Sequence, residues 1–117
     1  MFRADDDALG VYAEAAGIQR ILPRAVAVPA DAADVAALVS WAHATGTPLV
    51  PRGSGSSMTG AAIGDGVVVD LSRLDWIQGV DATTGSIRAG PGAGWPSRSA
   101  ATRSSWRRPT PTATSSR

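Results

Sequence analysis

The sequence predicts an α+β fold, a small mixed sheet with flanking helices, and three observations carry that expectation. Residues 31–45 hold one apolar stripe at helical spacing. Two short apolar runs of strand length lie at residues 48–51 and 66–71. A Gly/Ser-rich loop begins where the first of those runs ends. The 117 residues are 44% apolar, which suits a single domain with a modest core.

Each element has its own local cause. Residues 8–22 place Leu9, Tyr12, Ala13, Ala16 and Ile18 in a partly helical pattern that Gly10 and Gly17 interrupt, so residues 1–22 are expected to be an N-terminal helical segment. Pro23 to Pro29 predicts a short strand fenced by prolines, at or near a sheet edge. In residues 31–45, Asp31 is placed to cap a helix and Asp34 sets a carboxylate in its first turn, where the helix dipole favours negative charge. Val35, Leu38, Val39 and Ala42 form the stripe, and Gly46 stands where a left-handed cap is expected. Pro48-Leu49-Val50-Pro51 predicts a short buried strand feeding the loop. Gly66-Val67-Val68-Val69-Asp70-Leu71 is β-branched and of strand length. Residues 76–80 and 86–89 flank a turn in which Gly85 can take a positive φ, so a hairpin is expected there.

The loop, Pro51-Arg52-Gly53-Ser54-Gly55-Ser56-Ser57-Met58-Thr59-Gly60, has a physical use. Gly53 and Gly55 can take backbone angles closed to other residues, so that successive N–H groups converge on an anion. Ser54, Ser56 and Ser57 add hydroxyl donors without bulk. Walker A chemistry is excluded, because the chain has no Lys. The dinucleotide fingerprint fails too, since Met58 occupies the place of its third Gly. Taken alone, such a cluster reads as an ordinary turn.

The surroundings sharpen it. Val26-x-Val28-Pro29, Asp31-x-x-Asp34-Val35, Pro48 to Gly55, Met58-Thr59-Gly60, Gly66 to Leu74 and Ala89-Gly90-Pro91-Gly92 follow one another in order. Over about residues 20–95 this series resembles the FAD-binding domain of the p-cresol methylhydroxylase/vanillyl-alcohol oxidase (PCMH-type) superfamily. Within it, the series is most similar to the flavin subunits of glycolate oxidase and D-lactate dehydrogenase. The resemblance implies the first lobe of such a domain over residues 23–95. It implies FAD contacts from Pro51, Arg52, Gly53, Ser54, Gly55, Ser56 and Ser57, with Thr59 and Gly60 closing the loop and Pro91 and Gly92 beside the flavin. Some relatives carry in this loop a His bonded covalently to the flavin. Ser56 stands in that place, so the FAD is expected to be non-covalent.

The resemblance further implies a full-length relative that oxidises a 2-hydroxy acid of the glycolate or D-lactate type by hydride transfer to FAD. No catalytic residue can be named in this chain, because the second lobe and the substrate domain of the family have no counterpart in it. FAD is therefore expected to bind weakly or not at all, unless a separate chain supplies the missing lobe. Apolar surface from Val67 to Val69 and at Leu38 is expected to be left exposed.

Other functional classes find little support. Cysteine is absent, which excludes disulfides and Cys-based sites, and the lone His43 has no cluster of partners for a metal. Arg52 could neutralise phosphate or be a solvated loop residue, and the resemblance implies that its backbone matters more than its charge. Asp70 and Asp75 read as strand-end and turn residues, and Trp41, Trp76 and Trp95 as packing residues. No run is long enough to span a membrane and no signal peptide is visible, so a cytoplasmic location is expected. Residues 1–95 carry six arginines against ten carboxylates, whereas residues 96–117 carry five arginines and no acid. That last segment has no Leu, Ile or Val, and is expected to be a disordered basic tail, translated out of frame. A non-catalytic nucleotide-binding or interaction module, with the tail touching nucleic acid, is the less favoured alternative.

Overall fold

The computed structural model describes residues 2–94. The expectations for residues 96–117 lie outside the described residues. Six elements follow one another: β1 (Phe2–Arg3), α1 (Asp6–Tyr12), β2 (Ala25–Ala27), α2 (Ala32–Thr45), β3 (Leu49–Arg52) and β4 (Val67–Asp70). The strands form one mixed sheet in the order β1-β2-β4-β3. β4 runs parallel to β2 and β3, and β1 adds an antiparallel edge.

β4 is central because its sequence leaves it no other place. Val67, Val68 and Val69 are β-branched and all buried, so the strand needs cover on both faces. Successive residues point to opposite sides. Val67 and Val69 pack with Ala27 and Leu38 of α2, while Asp70 turns towards Tyr12 at the end of α1. α2 therefore covers one face, and α1 with the chain after it covers the other.

α2 begins and ends where the sequence places it. The Asp31 carboxylate accepts from Asp34 N at 2.9 Å, and Gly46 closes the helix at φ 66°. Its stripe is only half used. Leu38 and Ala42 are buried, but Val39 is 52% exposed. Trp41 sets its ring edge-on against Phe2 at 5.5 Å, which ties α2 to the otherwise short β1.

Several expectations change. The expected exposure at Val67–Val69 and Leu38 is overturned: these residues form the core. Exposed apolar side chains sit elsewhere, notably Trp76, Ile77, Val80 and Ile87 on the hairpin. Gly10 does not break α1. The helix spans Asp6–Tyr12, held by the Asp5 carboxylate on Ala8 N, and ends before Gly17. The proline-fenced strand lies near the edge as expected, one place in, because β1 adds to it. β3, expected to be buried, is the edge strand, and Pro51 is exposed there, where its missing N–H costs no ladder bond. The hairpin forms with Ile77 opposite Ala89 and Asp81 opposite Ser86, and Gly85 takes φ 66°.

Candidate functional site

The parallel strands β3 and β4 end side by side, and the chain leaving each builds one wall of a cleft of about 320 Å³. One wall is the loop after β3, with Gly53, Ser54, Gly55, Ser56 and Ser57. The other is Pro91 to Gly94, carried back to the sheet by the hairpin. The walls approach each other at Gly53, where a Cβ would stand 3.4 Å from the Pro91 carbonyl oxygen. In open sheets with parallel strands, ligand crevices lie at this carboxyl end.

Each wall is fixed by bonds that the residue types require. Gly92 N donates to Leu74 O at 3.1 Å and Gly90 N to Trp76 O at 2.8 Å, which pins the second wall to the chain after β4. In the first wall, Gly55 sits at φ 72°, a conformation that leaves room for glycine and strains most side chains. Gly53 has no positive φ, contrary to the role its residue type suggested, and serves by its small size. Ser54 Oγ donates to Ser56 Oγ at 3.1 Å, and Ser57 Oγ accepts from Ala61 N at 3.2 Å.

The backbone N–H groups from Gly53 to Ser57 donate to no other described residue. Backbone donors without a partner among the described residues are what an anion site offers, because satisfied amides have nothing to give a ligand.

The Arg52 side chain takes neither of the two roles that its charge suggested. Its Nη1 donates to Glu14 O at 2.7 Å and to Ala62 O at 3.3 Å, and its guanidinium lies 5.2 Å from the Tyr12 ring centroid. It thus turns under the loop and away from the cleft, because a guanidinium can satisfy two carbonyls and a ring face at once. Thr59 and Gly60 also lie off the cleft; Thr59 shares a hydrogen bond with Ser57 Oγ at 3.3 Å, and Gly60 takes φ 82°. The remaining named residues, Pro51, Gly53 to Ser57, Pro91 and Gly92, line it. Ala61, Ala62, Ala93 and Gly94 join them. Small apolar residues carry no chemical signal in a sequence, and only their place in the cleft distinguishes them.

Beneath the loop, Tyr12 Oη donates to Asp70 Oδ2, and Ser72 N donates to Asp70 Oδ1 at 2.9 Å. Burial pushes the Asp70 carboxyl up, but the bonds from Tyr12 and Ser72 and the nearby Arg52 outweigh it and hold the group below its usual 3.8. Burial, followed by the Asp70 carboxylate, pushes the Tyr12 phenol up to about 12. Asp70 is therefore the strand-end residue the sequence suggested, with a structural bond added; Asp75 is exposed.

The two shifts set a pH window. Asp70, lowered in the folded state, adds stability above 3.8 that is lost as pH falls through its folded value. Tyr12, raised in the folded state, adds stability below its usual 10.0 that is lost as pH climbs towards about 12. Urea midpoints measured from pH 3 to 12 are expected to fall at both ends. Replacing Tyr12 with Phe removes the alkaline fall; an unchanged alkaline limb in Tyr12→Phe would contradict the assignment.

His43 is exposed in the last turn of α2, and the described residues contain no group of three or more metal-ligating side chains. No helix among the described residues is long and apolar enough to cross a membrane.

Comparison with known proteins bears on this cleft. A family model described as "FAD binding domain" matches residues 23–115. Among solved structures, CrmK, a flavoenzyme involved in the shunt product recycling mechanism in caerulomycin biosynthesis, is 28% identical with a TM-score of 0.62, over 80% of this chain and 19% of its own. The 6-hydroxy-D-nicotine oxidase of Arthrobacter nicotinovorans is also 28% identical, with a TM-score of 0.60, over 80% of this chain and 21% of its own. A variant of the Physcomitrella patens BBE-like 1 protein, at 24% identity and a TM-score of 0.63 over 79% of this chain and 21% of its own, shares the fold. The chain thus spans about a fifth of the length of these structures. No curated protein matches it.

Proposed function

The chain belongs to the FAD binding domain family, and from that premise we propose that it forms the pyrophosphate-binding lobe of an FAD-linked oxidoreductase. The observation that carries the reading is the row of N–H groups from Gly53 to Ser57, on residues lining the cleft, that donate to no described residue. Their donors, with the hydroxyls of Ser54, Ser56 and Ser57, suit two linked phosphates, and small side chains let a phosphate approach the backbone. Pro91 and Gly92 hold the opposite wall, where the cofactor continues towards its ring. Arg52 acts from below, shaping the loop without touching phosphate. When bound, FAD supplies the ring that accepts a hydride.

The FAD is held without a covalent bond on this reading. Ser56 stands where some relatives place a His, the sole His43 is on α2, and there is no Cys. Denaturation in acid is expected to release all flavin into the supernatant; protein-bound yellow colour after washing would refute this.

For the full-length relative, we infer oxidation of a 2-hydroxy acid of the glycolate or D-lactate type. The resemblance across residues 20–95 supports that substrate class, and the described residues add no substrate-binding group to it. A separate chain carrying the second lobe would complete the cleft and raise the affinity of this chain for FAD.

FAD titration tests the central claim. With one side of the cleft open, the expected Kd is roughly 0.1–1 mM, about −5.5 to −4 kcal/mol. Inorganic pyrophosphate should compete and riboflavin, lacking phosphate, should bind at least tenfold more weakly. Equal affinity for FAD and riboflavin, or no saturable FAD binding into the millimolar range, would overturn the pyrophosphate assignment.

A further inference from the structure

We infer that the segment from Tyr12 to Gln19, which precedes the family-matched span, is a positioning brace that sets the shape of the phosphate loop. The inference rests on the pyrophosphate reading of the loop for its functional consequence, but its structural content stands by itself. The matched span starts at residue 23, yet the chain before it touches the loop at both ends and in the middle.

At the loop's start, Arg52 is held by the Glu14 carbonyl at 2.7 Å and by the Tyr12 ring. In its middle, Ala16 N donates to Gly55 O at 3.1 Å. Gly55 takes a positive φ, and this bond engages its carbonyl with the segment before the loop, which fixes the peptide between Gly55 and Ser56. Beyond it, Gly17 lies so near the loop that a Cβ there would stand 2.5 Å from the Met58 carbonyl oxygen. At the loop's end, the Gln19 side chain occupies the space beside Gly60.

The brace is itself closed. Glu14 and Arg20 pair across an isolated bridge and an ion pair at 3.4 Å, and Ile21 N donates to Ala13 O at 2.9 Å. Tyr12 anchors it to the sheet through the bond to Asp70 at the end of β4. The chain from Tyr12 to Ile21 thus forms a ring of hydrogen bonds seated against the sheet, with the loop resting on it. A loop held from below keeps its donors arranged before the ligand arrives, which lowers the ordering cost of binding.

Amide exchange on the full chain tests the brace without any ligand. Ala61 N and Ile63 N, bonded to Ser57 Oγ and Gly60 O, report on the loop, and Val67 N and Leu71 N, bonded to Pro48 O and Arg52 O, report on the sheet. Gly17→Ala should speed loop exchange about tenfold while the sheet stays protected. FAD affinity should fall by a similar factor. Gly10→Ala, where a Cβ meets nothing within 4 Å, should change neither. Unchanged loop exchange in Gly17→Ala would overturn the inference, and so would an equal effect in Gly10→Ala.

If Gly17→Ala does not fold, Gln19→Ala decides, since it empties the space beside Gly60 without adding an atom to the segment and leaves the Arg52 bonds to Glu14 and Ala62 in place. Faster loop exchange over a protected sheet then sustains the brace, and unchanged exchange overturns it. Failure of the wild-type chain to bind FAD would sink the pyrophosphate assignment alone, because the exchange measurements do not depend on it.

Discussion

Gly90→Ala is expected to abolish measurable FAD binding, because the second wall of the cleft cannot keep its place with one more carbon. A Cβ there would lie 1.9 Å from the Leu74 carbonyl oxygen and 2.8 Å from the Leu74 carbonyl carbon. Both are backbone atoms, so no rotamer change relieves the contact. The chain must shift, and the bonds from Gly90 N to Trp76 O and from Gly92 N to Leu74 O go with it. Each such bond contributes about 1 kcal/mol net, and the overlap adds to their loss. A total of about 2–3 kcal/mol corresponds to an affinity lower by roughly 30- to 150-fold. Titration with FAD checks the loss, and circular dichroism checks that the sheet survives. Wild-type affinity in Gly90→Ala would mean that Pro91 to Gly94 is no part of the site.

The largest loss of stability is expected from Val68→Asp. Val68 is fully buried and sits mid-strand in β4, opposite Val26 on one side and Val50 on the other. The change removes about 1.5–3 kcal/mol of apolar burial. It also buries a carboxylate with no cation to pair, at several kcal/mol more, and Asp70 two residues along the same face adds like-charge repulsion. Domains of this size are stable by about 5–15 kcal/mol, so most or all of the fold is lost. Val39→Asp makes the same chemical change on the exposed side of α2 and should move stability by about 0.5 kcal/mol or less. Denaturation curves of the two variants distinguish them at once; similar curves would contradict the placement of β4.

These two valines also show how far the sequence can be read. Both lie in apolar stretches of good periodicity, and the stripe through Val35, Leu38, Val39 and Ala42 treats its members alike. The sheet reaches only Leu38 and Ala42, since a sheet of short strands covers less than the whole stripe. The run of three valines in β4 was legible as a strand, yet whether it lay bare or central depended on what packed on it. Its exposure was misjudged because a resemblance to half of a larger domain says nothing of how the half closes over its own core. β1 was not foreseen, since two residues carry no period to detect.

By itself, the sequence determined the loop, the helix and the strands on either side of them. Those features rest on short-range causes: a cap at Asp31, a positive φ at Gly46 and Gly55, β-branching at Val67 to Val69. Only the tertiary structure decided which loop residues share the cleft. Arg52 turns to Glu14 across 38 positions, and Tyr12 reaches Asp70 across 58. Such contacts depend on which face of the sheet each element takes, and no local propensity encodes that choice. The glycines were visible as the material of a candidate anion site; that the Arg52 side chain turns under the loop to the Glu14 and Ala62 carbonyls was settled by packing.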